Sequence, residues 1–317
     1  MGTSRLLALV AAGALGLGAS APVFGGPLRD WVQTQRAERA ERADVDGLEE
    51  NAGSARLQVP AGIKVWSDQA YGTDRRQRLD VYAQPGLSGA PVVFMVHGGA
   101  WRTGDKTMPR VVQNKLDHWG PRGIVFVSVN YRLLPEADVL SQAADVAAAL
   151  AFAQREAPRW GGDPRRFVLM GHSAGGQLIA LLAAAPAPGL APPLGSVILD
   201  SAVFDVPSLM HERHLPLYDR AFGQEPAFWR RTSPQAQLQA GVRPLLLVCS
   251  SRRRDACPQA DGFAQSAQAL GGRASVLPLP LKHSEINEQL GQEGAYTRAV
   301  DAFLARLDPE LARRLQP

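Results

Sequence analysis

Residues 170–180 read MGHSAGGQLIA, with Ser173 set between Gly171 and Gly175 in a G-x-S-x-G pattern. Immediately before this stretch lies the apolar run RFVLM (166–170), short enough for a buried strand, and immediately after it GGQLIALLAAA (175–185) reads as a helix. A strand that must reverse sharply into a helix while holding a serine hydroxyl at the apex needs this arrangement. The flanking glycines relieve crowding where the two backbones meet, and Ser173 itself is expected in a strained backbone conformation. A serine in an ordinary glycine-rich turn would lack these neighbours, so Ser173 is read as a nucleophile.

Working outward, strands and helices alternate from about Leu57 to the end. QRLDVYAQP (77–85), APVVFMVHGG (90–99), GIVFVSVNYR (123–132), GSVILDSAVF (195–204), RPLLLVCS (243–250) and RASVLPLPL (273–281) read as strands, several apolar enough to be buried on both faces. Between them, 107–123, 135–162 and 259–272 carry helical spacing with Pro or Gly at their limits, and 296–315 closes the chain as a helix. This rhythm predicts a mostly parallel central sheet flanked by helices, with ligands bound beyond the carboxyl ends of the strands. The segment 206–239 interrupts the rhythm with Pro, Trp and Phe, and is expected either as a small cap insertion near the mouth of the site or as packing against the sheet edge.

The 317 residues are 45% hydrophobic and 20% charged, which suits one domain of about 250 residues plus a leader. Net charge is +4, yet the 34 Lys and Arg are dispersed with no basic stripe interleaved with aromatics, so no nucleic-acid partner is expected. Residues 1–24 have one early cation, Arg5, then an apolar stretch and small residues, the layout of a secretory signal peptide. That stretch is short for a bilayer span, which ranks an uncleaved membrane anchor second and a secreted or periplasmic mature chain first. A polar connector is expected at 25–56 and the folded domain at 57–317. The two cysteines, Cys249 and Cys257, could pair in an oxidising compartment, and without a nearby Cys or His they do not suggest a metal site.

A serine hydroxyl needs a base to take its proton and a third group to orient that base. Among six histidines, His283 stands just after the last strand, at the carboxyl end of the sheet. His172, adjacent to the serine, is expected to point away, and His214 is the second choice as base. For the acid, Asp255 follows RPLLLVCS and precedes a helix, so it is preferred over Asp200 and Asp205 at the preceding strand end and over Asp261 within the next helix. A Cys249–Cys257 bond would then steady the loop bearing Asp255. The loop HGGAW (97–101) follows another strand, and the amides of Gly99 and Ala100, with that of Ala174 after the nucleophile, are expected to form an oxyanion hole. Trp101 is a candidate for lining the pocket.

HGGAW, VNYRLLPE (129–136), GHSAGG (171–176), Asp255 in RRRDACP and HSEINEQLG (283–291) together resemble the α/β-hydrolase superfamily, in particular esterases akin to hormone-sensitive lipase, arylformamidases and bacterial feruloyl or acetyl esterases. The resemblance runs from about Val65 to Leu307. It implies an α/β-hydrolase fold, a triad of Ser173, Asp255 and His283, no metal or other cofactor, and hydrolysis of a small-molecule carboxylic ester. Ala100, followed by Trp101, stands where the hormone-sensitive-lipase group usually carries a third glycine, which moves the match toward the arylformamidase and feruloyl-esterase side. An arylformamidase or amidase is therefore the rival activity, and a catalytically silent binding protein of the same fold the rival class.

Overall fold

Residues 90–96, APVVFMV, are apolar without a break, and the two-residue period of a strand divides them between two cores. Val92, Phe94 and Val96 join Leu169, Ile198 and Leu247 on one side, whereas Val93 and Met95 join Val168, Met170, Val197 and Leu246 on the other. A strand buried on both faces belongs inside a sheet covered by helices. The structure is a computed structural model that describes residues 56–316; the leader expected at 1–24 and all but the last residue of the connector expected at 25–56 lie outside the described residues.

The sheet contains β1 (Lys64–Ala70), β2 (Arg78–Ala83), β3 (Ala90–Val96), β4 (Val125–Val129), β5 (Gly162–His172), β6 (Gly195–Leu199), β7 (Leu245–Ser250) and β8 (Ala274–Leu279), in the order β1-β2-β4-β3-β5-β6-β7-β8. β2 runs antiparallel to β1 and β4, and the remaining pairs are parallel. The helices are α1 (Pro109–Trp119), α2 (Val139–Glu156), α3 (Ala174–Ala184), α4 (Val206–His211), α5 (Pro216–Phe222), α6 (Pro226–Thr232), α7 (Pro234–Gln237), α8 (Ala256–Ala269), α9 (His283–Gln289), α10 (Ala295–Ala305) and α11 (Pro309–Arg314). α2, α3 and α8 bury their apolar stripes in the first core, and α1, α9, α10 and α11 bury theirs in the second. The mostly parallel sheet with helices on both faces is the architecture expected from the sequence. β1 is an addition to that expectation: half exposed along its length and broken by a register shift between Trp66 and Gln69, it carries no clean alternation to read.

Two features position the site. The strand order reverses at β3, with β4 on one side and β5 on the other, so the loops leaving β3 and β5 diverge and open a crevice at their carboxyl ends. The segment 206–239 folds as the four short helices α4–α7 between β6 and β7. It is fixed to α3 by the buried Gln177, whose Nε2 donates to the Thr232 carbonyl at 2.7 Å.

Candidate active site

β5 ends at His172 and α3 begins at Ala174, leaving Ser173 at the turn with φ 54° and ψ −121°, a region an L-residue adopts only when its surroundings enforce it. The enforcement is visible at the two glycines. A Cβ on Gly171 would lie 2.3 Å from the Gly175 carbonyl oxygen, and one on Gly175 would lie 2.4 Å from the carbonyl oxygens of both Val96 and His97. Only glycine lets β3, β5 and α3 approach this closely.

Ser173 Oγ lies 2.9 Å from Nε2 of His283, the first residue of α9. The Nδ1 atom of His283 lies 2.7 Å from Oδ2 of Asp200, the residue directly after β6. A carboxylate only accepts, so Nδ1 carries the proton and Nε2 is left to accept from the serine hydroxyl. Asp200 is fully buried with φ 51°, and both of its oxygens are engaged: Oδ1 accepts from the Ser250 amide at 2.6 Å, and Oδ2 accepts also from Arg253 Nη1 at 3.0 Å. Burial opposes its charge, but Arg253, His283 and the Ser250 amide outweigh that and hold the carboxyl well below the usual carboxylate range.

The acid expected from the sequence is therefore corrected. Asp255 directly precedes α8, is 56% exposed and sits 3.7 Å from the Arg254 guanidinium, while the place opposite His283 Nδ1 belongs to Asp200. The physical reason is distance along the chain: Asp255 stands five residues beyond the end of β7, whereas Asp200 stands at the tip of β6 itself. What the β7 loop turns inward is Arg253. Cys249 and Cys257 are joined by a disulfide with Cα atoms 5.2 Å apart, so the closed loop holds Ser250 and Arg253 against Asp200 rather than presenting Asp255.

Ser173 and His283 open onto a cleft lined also by Ala100, Ala174, Val203, Leu215 and Tyr218. The amide of Ala174 lies in the first turn of α3, where a helix has no internal acceptor, and the dipole of α3 adds positive potential there. Gly98 brings the β3 loop against the nucleophile, since a Cβ there would lie 2.9 Å from the Cβ of Ser173. Ala100 and Trp101 follow with φ of 49° and 60°. Gly99 lines a second, smaller cavity behind the loop rather than the cleft. Trp101 does line the cleft, buried, with its Nε1 donating to Gln177 at 3.1 Å and its ring edge-on to Tyr218 and Phe222 of α5. The segment 206–239 thus forms part of the mouth.

His214, the alternative base, is paired with Asp219 on α5 at 3.1 Å, and another histidine occupies the triad position. His172 departs from expectation: it is buried beside His283, with ring centroids 4.5 Å apart. Among the described residues, no group of three or more His, Cys, Asp or Glu is arranged to hold a metal ion.

This sheet, with a serine raised on the turn after its fifth strand, is the α/β-hydrolase fold. The chain matches the BD-FAE family model over residues 79–189. It is 28% identical to the probable carboxylic ester hydrolase LipM of Mycobacterium tuberculosis over 81% of this chain and 66% of LipM. It is 34% identical to the probable isoprenylcysteine alpha-carbonyl methylesterase ICMEL1 of Arabidopsis thaliana, over 35% of this chain and 23% of that protein. The chain thus spans just under two thirds of LipM and about a quarter of the plant relative. Among solved structures, Esterase B from Lactobacillus Rhamnosis (HN001) superposes with a TM-score of 0.64 at 19% identity, covering 90% of this chain and 94% of Esterase B. Esterase B has also been solved inhibited by a C4-C4 SN3 tributyrin phosphonate.

Proposed function

We propose that the protein is a serine carboxylic-ester hydrolase for small or aromatic esters, with Ser173 as nucleophile, His283 as general base and acid, and Asp200 as the group that orients His283. The observation that carries this reading is the unbroken line Ser173 Oγ to His283 Nε2 at 2.9 Å and His283 Nδ1 to Asp200 Oδ2 at 2.7 Å. The Ser173 proton passes to Nε2 as Oγ bonds to the ester carbonyl carbon, and the carbonyl oxygen becomes an oxyanion facing the amides of Ala174 and Ala100. Collapse breaks the bond to the alkoxy group, which leaves with the proton from Nε2. A water then gives a proton to Nε2 and bonds to the acyl carbon, and the second collapse returns the proton to Ser173 and frees the acid. Asp200, held ionised by Arg253 and the Ser250 amide, stabilises the imidazolium in both halves.

The cleft is walled closely by Trp101, Val203, Leu215, Leu217 and Tyr218, which supports compact acyl groups over long chains. Export to a secreted or periplasmic location is part of the proposal, supported by the leader sequence and by a disulfide that persists in oxidising compartments. The test is hydrolysis of p-nitrophenyl esters of increasing acyl length, of hydroxycinnamate esters and of a matched formanilide. The expected result is turnover of short or aromatic esters exceeding that of the formanilide, abolished in Ser173→Ala. Equal hydrolysis by Ser173→Ala overturns the proposal.

A further inference from the structure

We infer that His172, the residue between Gly171 and Ser173, is a positioning residue for His283, and this rests on the triad reading above. His172 Nε2 lies 3.0 Å from the main-chain carbonyl oxygen of His283. That oxygen only accepts, so His172 carries its proton on Nε2 and donates. The contact closes a short circuit. From Ser173 Oγ it runs to the His283 ring, through His283 to its own carbonyl, across to His172 Nε2, and back along one peptide bond to Ser173. One strand end therefore sets both ends of the hydrogen bond across which the proton moves.

The circuit matters because α9 cannot place His283 alone. It has seven residues, far below the length at which a helix holds itself in water. Its far end is tied to α1, where Lys115 Nζ donates to the main-chain and side-chain oxygens of Asn287 and Asn114 Nδ2 donates to the Glu288 carbonyl. Its near end, the residue that carries the base, is tied by His172. His172 suits this duty because it stays neutral. Burial, then His283 and, more weakly, Lys115 disfavour its charged form, against the opposing pull of Asp200 and its carbonyl bond, and push the imidazole well below its ordinary value. A second cation 4.5 Å from the His283 ring would oppose formation of the imidazolium that catalysis requires.

The experiment compares His172→Phe, which keeps a ring but loses the donor, with His172→Gln, which keeps a donor. Ser173→Ala and Asp200→Asn are measured alongside. Displacing a catalytic group by about 1 Å costs about 10²-fold in rate, so His172→Phe is expected to lose about that factor in kcat with KM little changed. The rate of phosphonate labelling of Ser173 falls in parallel, and His172→Gln recovers most of both. Wild-type kcat in His172→Phe, or equal loss in the two variants tracking their folded fractions, overturns the inference while leaving the triad standing. Undiminished hydrolysis by Ser173→Ala instead removes the reading beneath it. A measurement on the unmutated protein complements the series: 15N imidazole NMR is expected to show His172 as the neutral Nε2–H tautomer across about pH 7 to 8. A doubly protonated or Nδ1–H His172 in that window contradicts the inference whether or not a variant folds.

Discussion

Replacing Asp200 by asparagine tests the electrostatics of the site most sharply. Three donors meet its carboxylate, at least one on each oxygen: the Ser250 amide at 2.6 Å, His283 Nδ1 at 2.7 Å and Arg253 Nη1 at 3.0 Å. Asparagine brings one acceptor and one donor, so its NH₂ must confront one of them. The Ser250 amide cannot change its role, whereas His283 can move its proton to Nε2, and that tautomer can no longer accept from Ser173. The charge is lost as well. Opposite charges centred about 4 Å apart at an effective dielectric near 20 attract by about 4 kcal/mol, and about 4 kcal/mol of imidazolium stabilisation is about 10³-fold in rate. With the tautomer penalty, kcat on p-nitrophenyl acetate is expected to fall about 10⁴-fold. Asp255→Asn, on the exposed start of α8, is expected to keep wild-type kcat. An Asp200→Asn enzyme close to wild type, or an Asp255→Asn enzyme crippled by orders of magnitude, refutes this reasoning.

Other perturbations report on the supporting shell. Gly98→Ala forces a Cβ to within 2.9 Å of Ser173 Cβ and the His172 carbonyl oxygen, an overpacking cost of about 1–3 kcal/mol. Urea unfolding reads that loss, and kcat is expected to fall further than stability because the loop that abuts Ser173 moves. His97, fully buried under that loop, is pushed down by burial to about 4, against about 6.5 when unfolded. The unfolded chain binds the extra proton in that window, so His97's contribution is complete above about pH 6.5 and about 3 kcal/mol is lost as pH falls toward 4. The unfolding free energy of His97→Asn is expected to fall less steeply over the same range, and parallel slopes count against it. Reducing Cys249–Cys257 reopens a nine-residue loop, a loss of about 2–3 kcal/mol on the chain-entropy account. It also loosens Ser250 and Arg253 from Asp200, so dithiothreitol is expected to lower both Tm and kcat, and an unchanged kcat separates the disulfide from the acid.

Where the deciding information was local, the sequence was readable. RFVLM and GGQLIALLAAA specify a strand and a helix by their own composition, and two glycines with a serine between them specify the turn. His283 was legible because it follows the last strand closely. The choice of acid was not, because Asp200 and Asp255 both follow apolar strands and only the long-range spacing of β6, β7 and α9 decides which reaches Nδ1. A signal was present: GSVILD ends in Asp200 with no intervening residue, just as RFVLMGH leads directly to Ser173, whereas four residues separate Ser250 from Asp255. The duty of His172 is hidden from the sequence for a related reason. His172 continues along β5 the face of Val168 and Met170, and that face is covered by α9, so the strand's own alternation brings His172 beneath the base once the distant α9 is in place.

The central claim is that Ser173 is made nucleophilic by His283, and active-site labelling tests it without any assumption about the natural ester. After treatment of the wild-type protein with a fluorophosphonate and peptide mapping by mass spectrometry, the account predicts a single adduct on Ser173, absent in Ser173→Ala and formed far more slowly in Asp200→Asn. An unlabelled Ser173 in folded protein, or an adduct on a different residue, contradicts it.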